Sequence, residues 1–284
     1  MENVWTLGAL QAAVQLRWRT EKRAQRDSGD RKRAANAAAS FRRRMPLLAA
    51  VLEKAVQQAG CTPCVGLRDV EERGLFSFLY EGISDPSTRD KFVRGGGFCP
   101  RHFRIALQQT TATGYVGPFQ IADVCQMLLN SAAASLTQAR EAQSRDKWPV
   151  FQRRRSEPMP AITGAECMFC ADAREKEKDL VLALESLITD PAIADRVEAN
   201  GLCQRHGRLA ISAWNTVSGR DWVIQVLRRH LETLKHHTDE FLRKHDYRFR
   251  EESPGPEADV VRRAVEFLLG PEATAEEKSR RGRK

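Results

Sequence analysis

Four short motifs in the chain place metal-ligating side chains three positions apart. Cys61-Thr62-Pro63-Cys64 and Cys167-Met168-Phe169-Cys170 each carry two thiols. Cys99-Pro100-Arg101-His102 and Cys203-Gln204-Arg205-His206 each carry a thiol and an imidazole. Two intervening residues let a tight turn or a first helical turn aim both side chains at one ion, and two such pairs complete a tetrahedron. Read in chain order, Cys61, Cys64, Cys99 and His102 form one Cys3His set, and Cys167, Cys170, Cys203 and His206 form a second.

Zinc in two sites suits this ligation, because its closed tetrahedron needs no redox chemistry and staples small helical units. A 4Fe-4S cluster at each site is the alternative, since clusters also accept mostly thiolate ligands and Cys99-Pro100 has the Cys-Pro form found in ferredoxin motifs. Gln204 in place of that proline weakens the alternative. A redox-active C-x-x-C would sit after a strand, and neither copy has a strand-like stretch before it. Free cysteines are also common as small buried hydrophobes, but the twofold recurrence of the spacing speaks against that reading. The odd thiol, Cys125, lies in an apolar helical run and reads as core packing.

The elements that would position these motifs also recur. Asp85-Pro86 and Asp190-Pro191 each stand between a C-x-x-C and the C-x-x-H that follows. His102-Phe103-Arg104-Ile105-Ala106-Leu107 also matches His206-Gly207-Arg208-Leu209-Ala210-Ile211. A repeat of this length implies one supersecondary unit used twice. Apolar residues recur at helical spacing throughout and no stretch alternates with period two, so the fold class expected is all-α. Helices are expected over 46–58, 67–81, 118–143, 180–188, 190–199, 206–214, 220–244 and 257–269. Asp followed by Pro supplies an N-cap and a first helical residue for the helix after residue 85 and the one after 190. Gly95-Gly96-Gly97 reads as a helix break, since it lacks the Lys-Ser/Thr of a phosphate loop.

The expected organisation is a basic helical arm over 1–44, a first Cys3His repeat over 45–147 and a linker over 148–160. A second repeat follows over 161–270, and then a charged tail over 271–284. The 284 residues are 42% hydrophobic, enough for a sizeable core, and carry a net charge of +9. That charge is uneven. Between Arg17 and Arg44 eleven Lys or Arg face three acids, and the last seven residues add five cations. Arg17, Arg19, Lys22, Arg23, Arg26, Arg42, Arg43 and Arg44, with Trp5 and Trp18 nearby, therefore form a candidate surface for an acidic protein or for nucleic acid. No apolar run reaches the roughly 20 residues of a membrane-spanning helix. No secretory signal is visible, so clustered thiols point to a reducing, cytoplasmic setting.

The tandem Cys-x-x-Cys…Gly-Phe/Leu-Cys-x-x-His units, together with Lys244-His245-Asp246-Tyr247-Arg248-Phe249 and the helix end at Ala264–Gly270, resemble an uncharacterised family of bacterial all-helical proteins. The resemblance covers roughly 60–270 and implies the architecture without an activity. No nucleophile elbow or catalytic Cys–His pair stands out, so the sequence assigns no catalytic residues and leaves an enzymatic role open, leaning against it. His230, His236, His237 and His245 with Glu232, Asp239 and Glu240 read as a solvated helix face. The function expected is a zinc-stapled interaction scaffold. The alternative is a two-cluster electron-transfer subunit of a larger redox complex.

Overall fold

Each ligand motif lies at the start of a helix in the computed structural model, which describes residues 36, 38–112, 114–145, 167–249 and 251–271. In chain order the helices are α1 (Pro46–Ala55), α2 (Thr62–Tyr80), α3 (Pro86–Arg94), α4 (Pro100–Ala112) and α5 (Pro118–Arg145). They continue with α6 (Met168–Leu187), α7 (Pro191–Asn200), α8 (Gln204–Ala213), α9 (Val217–Lys244) and α10 (Val260–Leu269). No strand occurs among the described residues, and the protein is all-helical there. Arg17, Arg19, Lys22, Arg23, Arg26, the expected linker and residues 272–284 lie outside the described residues.

Helices α2 and α6 begin immediately after Cys61 and Cys167, earlier than the apolar periodicity suggested. In α2 the first turn, Thr62-Pro63-Cys64-Val65, is mostly small or polar, and in α6 the stretch from Ala171 to Asp179 is mostly charged, so neither extends an apolar stripe. The Asp-Pro starts form as expected. Asp85 accepts from the Thr88 amide at 2.8 Å and opens α3, and Asp190 accepts from the Ala192 amide at 3.1 Å and opens α7. A side-chain acceptor at this position satisfies an amide that the first helical turn leaves open.

The chain divides into two compact units, Met1–Val65 with Leu180–Lys284 (unit 1) and Gly66–Asp179 (unit 2). The boundaries fall inside α2 and α6, so this division does not follow the expected domains at 45–147 and 161–270. The 19 residues of α2 rise about 28 Å, and the nine of α3, about 14 Å long, are too short to span that distance by themselves.

Unit 2 has an aromatic core. Phe78, Leu79, Ile83, Phe92, Val116 and Val124 are buried, with Phe98, Phe103, Cys125 and Phe169 packed against them. Cys125 is core packing, as its sequence context indicated. The rings of Phe78 and Phe92 lie 4.9 Å apart, those of Phe92 and Phe98 4.8 Å, and those of Phe98 and Phe169 5.3 Å, within the range where edge and tilted ring pairs attract.

Unit 1 is aliphatic. Leu180, Val181, Leu184, Leu187, Val197, Leu202, Val223 and Val226 are buried, and Leu234, Val260 and Phe267 join α9 to α10. Arg42 belongs to this body. It pairs with Glu53 at 2.5 Å and Asp190 at 3.0 Å, with 37% of its side chain exposed. Arg43 and Arg44 are exposed. Among the described residues no helix is long and apolar enough to cross a membrane.

Candidate metal centres

All four motifs use the same local geometry. Cys61, Cys99, Cys167 and Cys203 each immediately precede a helix, and Cys64, His102, Cys170 and His206 stand three residues later in its first turn. The positive end of the helix dipole favours the thiolates that metal ligation needs. Cys203 also accepts from the His206 amide at 3.4 Å, so the ligand is itself a helix cap.

Two ligand groups result, and their pairing is not the one read from chain order. Cys61 and Cys64 meet Cys203 and His206 in unit 1, while Cys99 and His102 meet Cys167 and Cys170 in unit 2. In each group one donor atom per residue lies within 4.8 Å of all the others. The spacing defined the pairs, and the fold sets which pairs meet.

In unit 1, His206 Nδ1 stands 3.4 Å from Cys61 Sγ, 3.1 Å from Cys64 Sγ and 3.2 Å from Cys203 Sγ, and the Cys64 and Cys203 sulfurs are 3.7 Å apart. In unit 2, His102 Nδ1 stands 3.2 Å from Cys99 Sγ, 3.6 Å from Cys167 Sγ and 3.4 Å from Cys170 Sγ, with the Cys99 and Cys170 sulfurs 3.5 Å apart. Both histidines turn Nδ1 toward the thiols. None of the seven cysteines forms a disulfide.

Crowding sets the acidities against one another within each group. Hydrogen bonding with Cys203 and Cys61, with burial, pushes Cys64 up, while hydrogen bonds from Cys61, Cys64 and His206 hold Cys203 well below the usual thiol range. In unit 2 burial pushes Cys167 up, but hydrogen bonds led by His102 outweigh it and hold the thiol at about 6. Burial and Cys99 push Cys170 up to about 12. Burial lowers His102, but Cys167, Glu71 and Cys99 outweigh it and raise the imidazole to about 10. Each group thus shares protons that a bound cation would displace.

Two glycines fix the approach to the C-x-x-H turns. Gly97 and Gly201, each two residues before a ligand cysteine, have φ of 80° and 74°. A Cβ at Gly97 would lie 2.7 Å from a Leu128 methyl, and one at Gly201 would lie 2.7 Å from His230 Nδ1. Only glycine takes this backbone at such close range without strain. His230 therefore packs against the site's backbone, whereas His237 lies 3.0 Å from Arg263 and faces no ligand group.

Sequence reasoning missed Glu71 and Arg101. Glu71 is buried on α2, where Arg101 grips both of its carboxylate oxygens at 2.6 and 2.5 Å, and Glu71 Oε1 lies 3.4 Å from His102 Nε2. An arginine directly before each ligand histidine, Arg101 and Arg205, was the signal available.

No protein-family profile matches the chain, and no solved structure matches it. It is similar to an uncharacterized 23.9 kDa protein in xynA 3'region of Caldicellulosiruptor sp. (strain Rt8B.4), 24% identical over 213 residues, which are 74% of this chain and 95% of that protein. The relative is itself uncharacterized, in keeping with the resemblance read from the sequence, and brings no activity with it.

Proposed function

We propose that the chain is a helical interaction scaffold stapled by two single zinc ions, one in each unit. The observation that carries this is the size of the ligand groups. With Zn–S of about 2.3 Å and Zn–N of about 2.0–2.1 Å, tetrahedral geometry separates two thiolates by about 3.8 Å and a thiolate from an imidazole by about 3.6 Å. The sulfurs measured here are 3.7 and 3.5 Å apart, and the sulfur–nitrogen separations run from 3.1 to 3.6 Å. An iron–sulfur cluster sets several irons and sulfides between its thiolates and would spread them further. The distances therefore favour one ion per group. In this role zinc contributes no redox step. The thiolates and imidazoles hold it, and it holds the helix starts together.

The order of α2–α5 and α6–α9, each beginning at a C-x-x-C and each with an Asp-Pro start in its second helix, supports reading the chain as a duplicated unit. Arg17, Arg19, Lys22, Arg23 and Arg26, with Arg42, Arg43 and Arg44, support a contact with an acidic protein or nucleic acid. Thiolate ligation suits a reducing compartment such as the cytoplasm. Anaerobic purification followed by elemental analysis and a visible spectrum tests the metal. The expected result is a colourless protein with about two zinc ions per chain. A brown protein with iron and acid-labile sulfide would replace this reading by the electron-transfer one.

A further inference from the structure

We propose that Glu71 and Arg101 are positioning residues for the unit 2 ion. Glu71 holds the His102 ring so that Nδ1 faces the three thiols, and Arg101 holds Glu71. This inference rests on the metal reading above and assigns a role that the four ligands do not cover.

Glu71 stands one helical turn before Leu75 on α2 and shares its buried face, with only 5% of the residue exposed. A carboxylate there is costly unless its oxygens are satisfied. Arg101 satisfies both, Nη1 on Oε1 at 2.6 Å and Nη2 on Oε2 at 2.5 Å, in the two-pronged geometry that fixes a carboxylate in orientation as well as place. The fixed oxygen Oε1 then lies 3.4 Å from His102 Nε2, and Arg101 Nη1 lies 3.4 Å from that same nitrogen.

A neutral imidazole has one N–H. With Nδ1 among three sulfurs it must present a lone pair there, so the proton belongs on Nε2. Glu71 Oε1 is the acceptor on that side, while Arg101 can only donate. The carboxylate therefore selects the ligating tautomer and locks the ring, as carboxylates behind zinc-bound histidines do. A plain buried ion pair would need only Arg101 and Glu71 to meet. It would not need an oxygen behind the ligand's second nitrogen.

The test uses the full chain loaded with two equivalents of zinc and titrated with a chromophoric chelator. In Glu71→Gln, one ion is expected to leave about 10–100-fold more readily while the other keeps its wild-type affinity. In Arg101→Lys, which keeps the charge but loses the two-pronged grip, the same ion is expected to weaken to a lesser degree. Imidazole 15N shifts of His102 are expected to show the Nε2–H tautomer in the wild type and a mixture in Glu71→Gln. Both ions held at wild-type affinity, with His102 unchanged and only the melting temperature lowered, would overturn the proposal in favour of a structural ion pair. If Glu71→Gln fails to fold, Arg101→Lys decides on the same two readouts, since Arg101 is partly exposed. A wild-type chain that takes up no zinc would instead contradict the metal reading itself.

Discussion

The two units carry the same ligand set but depend on it differently. Unit 2 is one continuous stretch, Gly66–Asp179, and its ion would join residues already gathered around a phenylalanine core. Unit 1 is made of two stretches, Met1–Val65 and Leu180–Lys284, and its ion would take two thiolates from the first and a thiolate and an imidazole from the second. Other links also join those stretches, since Ala49, Leu52, Ala55 and Val56 of the first are buried within the unit. Arg42 with Asp190 and the Asn200 amide donating to Val56 carbonyl oxygen at 3.0 Å are two of them. The ligands are 139 residues apart in unit 1 and 65 in unit 2, but one doubling of loop length changes closure by only about 0.6 kcal/mol. The difference lies in what remains when the ion is gone. An aromatic core within one continuous stretch remains in unit 2, and an aliphatic core built from two separate stretches remains in unit 1.

Metal removal presses hardest on that contrast. Binding contributes on the order of 10 kcal/mol in small zinc units, comparable to a whole domain's stability. Chelation is expected to expose the backbone of 180–249 to hydrogen exchange before that of 66–112, and equal rates in the two regions would break the comparison. Acid acts in the same direction. Cys170 at about 12 and His102 at about 10 keep their protons at neutral pH without metal, so loading releases them. Metal affinity therefore falls as pH falls. Calorimetry in buffers of different ionisation heat would read at least two protons released per unit 2 ion at neutral pH.

The next effect isolates the aromatic core. Phe78, buried against Phe92, Phe98 and Phe169, is expected to cost about 3–5 kcal/mol on replacement by alanine, read as early exchange in 66–112 with 180–249 unchanged. Loss of protection in both regions would mean that the units do not open separately. Smaller still is Gly201→Ala, expected to cost about 1–3 kcal/mol through its positive φ, with further crowding against the His230 ring. Gly97→Ala, meeting the flexible end of Leu128, is expected to cost less. A reversed order would show that the two turns are not held in the way their neighbours suggest.

Much of this was legible in the sequence because it is local. The helix starts at Asp85-Pro86 and Asp190-Pro191, the helical class and the eight ligand residues each follow from residue types within a few positions of one another. The partnership of the pairs was not local. It depends on which helix starts pack together, and no spacing rule for zinc ligands contains that information. Glu71 was hidden for a related reason. Its partner is 30 positions away at Arg101, and nothing beside it in the sequence marks that pairing. The pairing of Arg42 with Asp190, 148 positions away, is likewise not visible in the basic run that contains it.

The crossing of the ligand pairs is the central claim, and counting metal in double variants tests it most directly. Cys64→Ser with Cys203→Ser removes two ligands from one group, whereas Cys64→Ser with Cys99→Ser removes one from each. The account predicts that the first variant keeps one zinc at wild-type affinity and that the second has both ions weakened. The opposite outcome, one intact ion in Cys64→Ser with Cys99→Ser and two weakened ions in Cys64→Ser with Cys203→Ser, would return the pairing to chain order and contradict the fold described here.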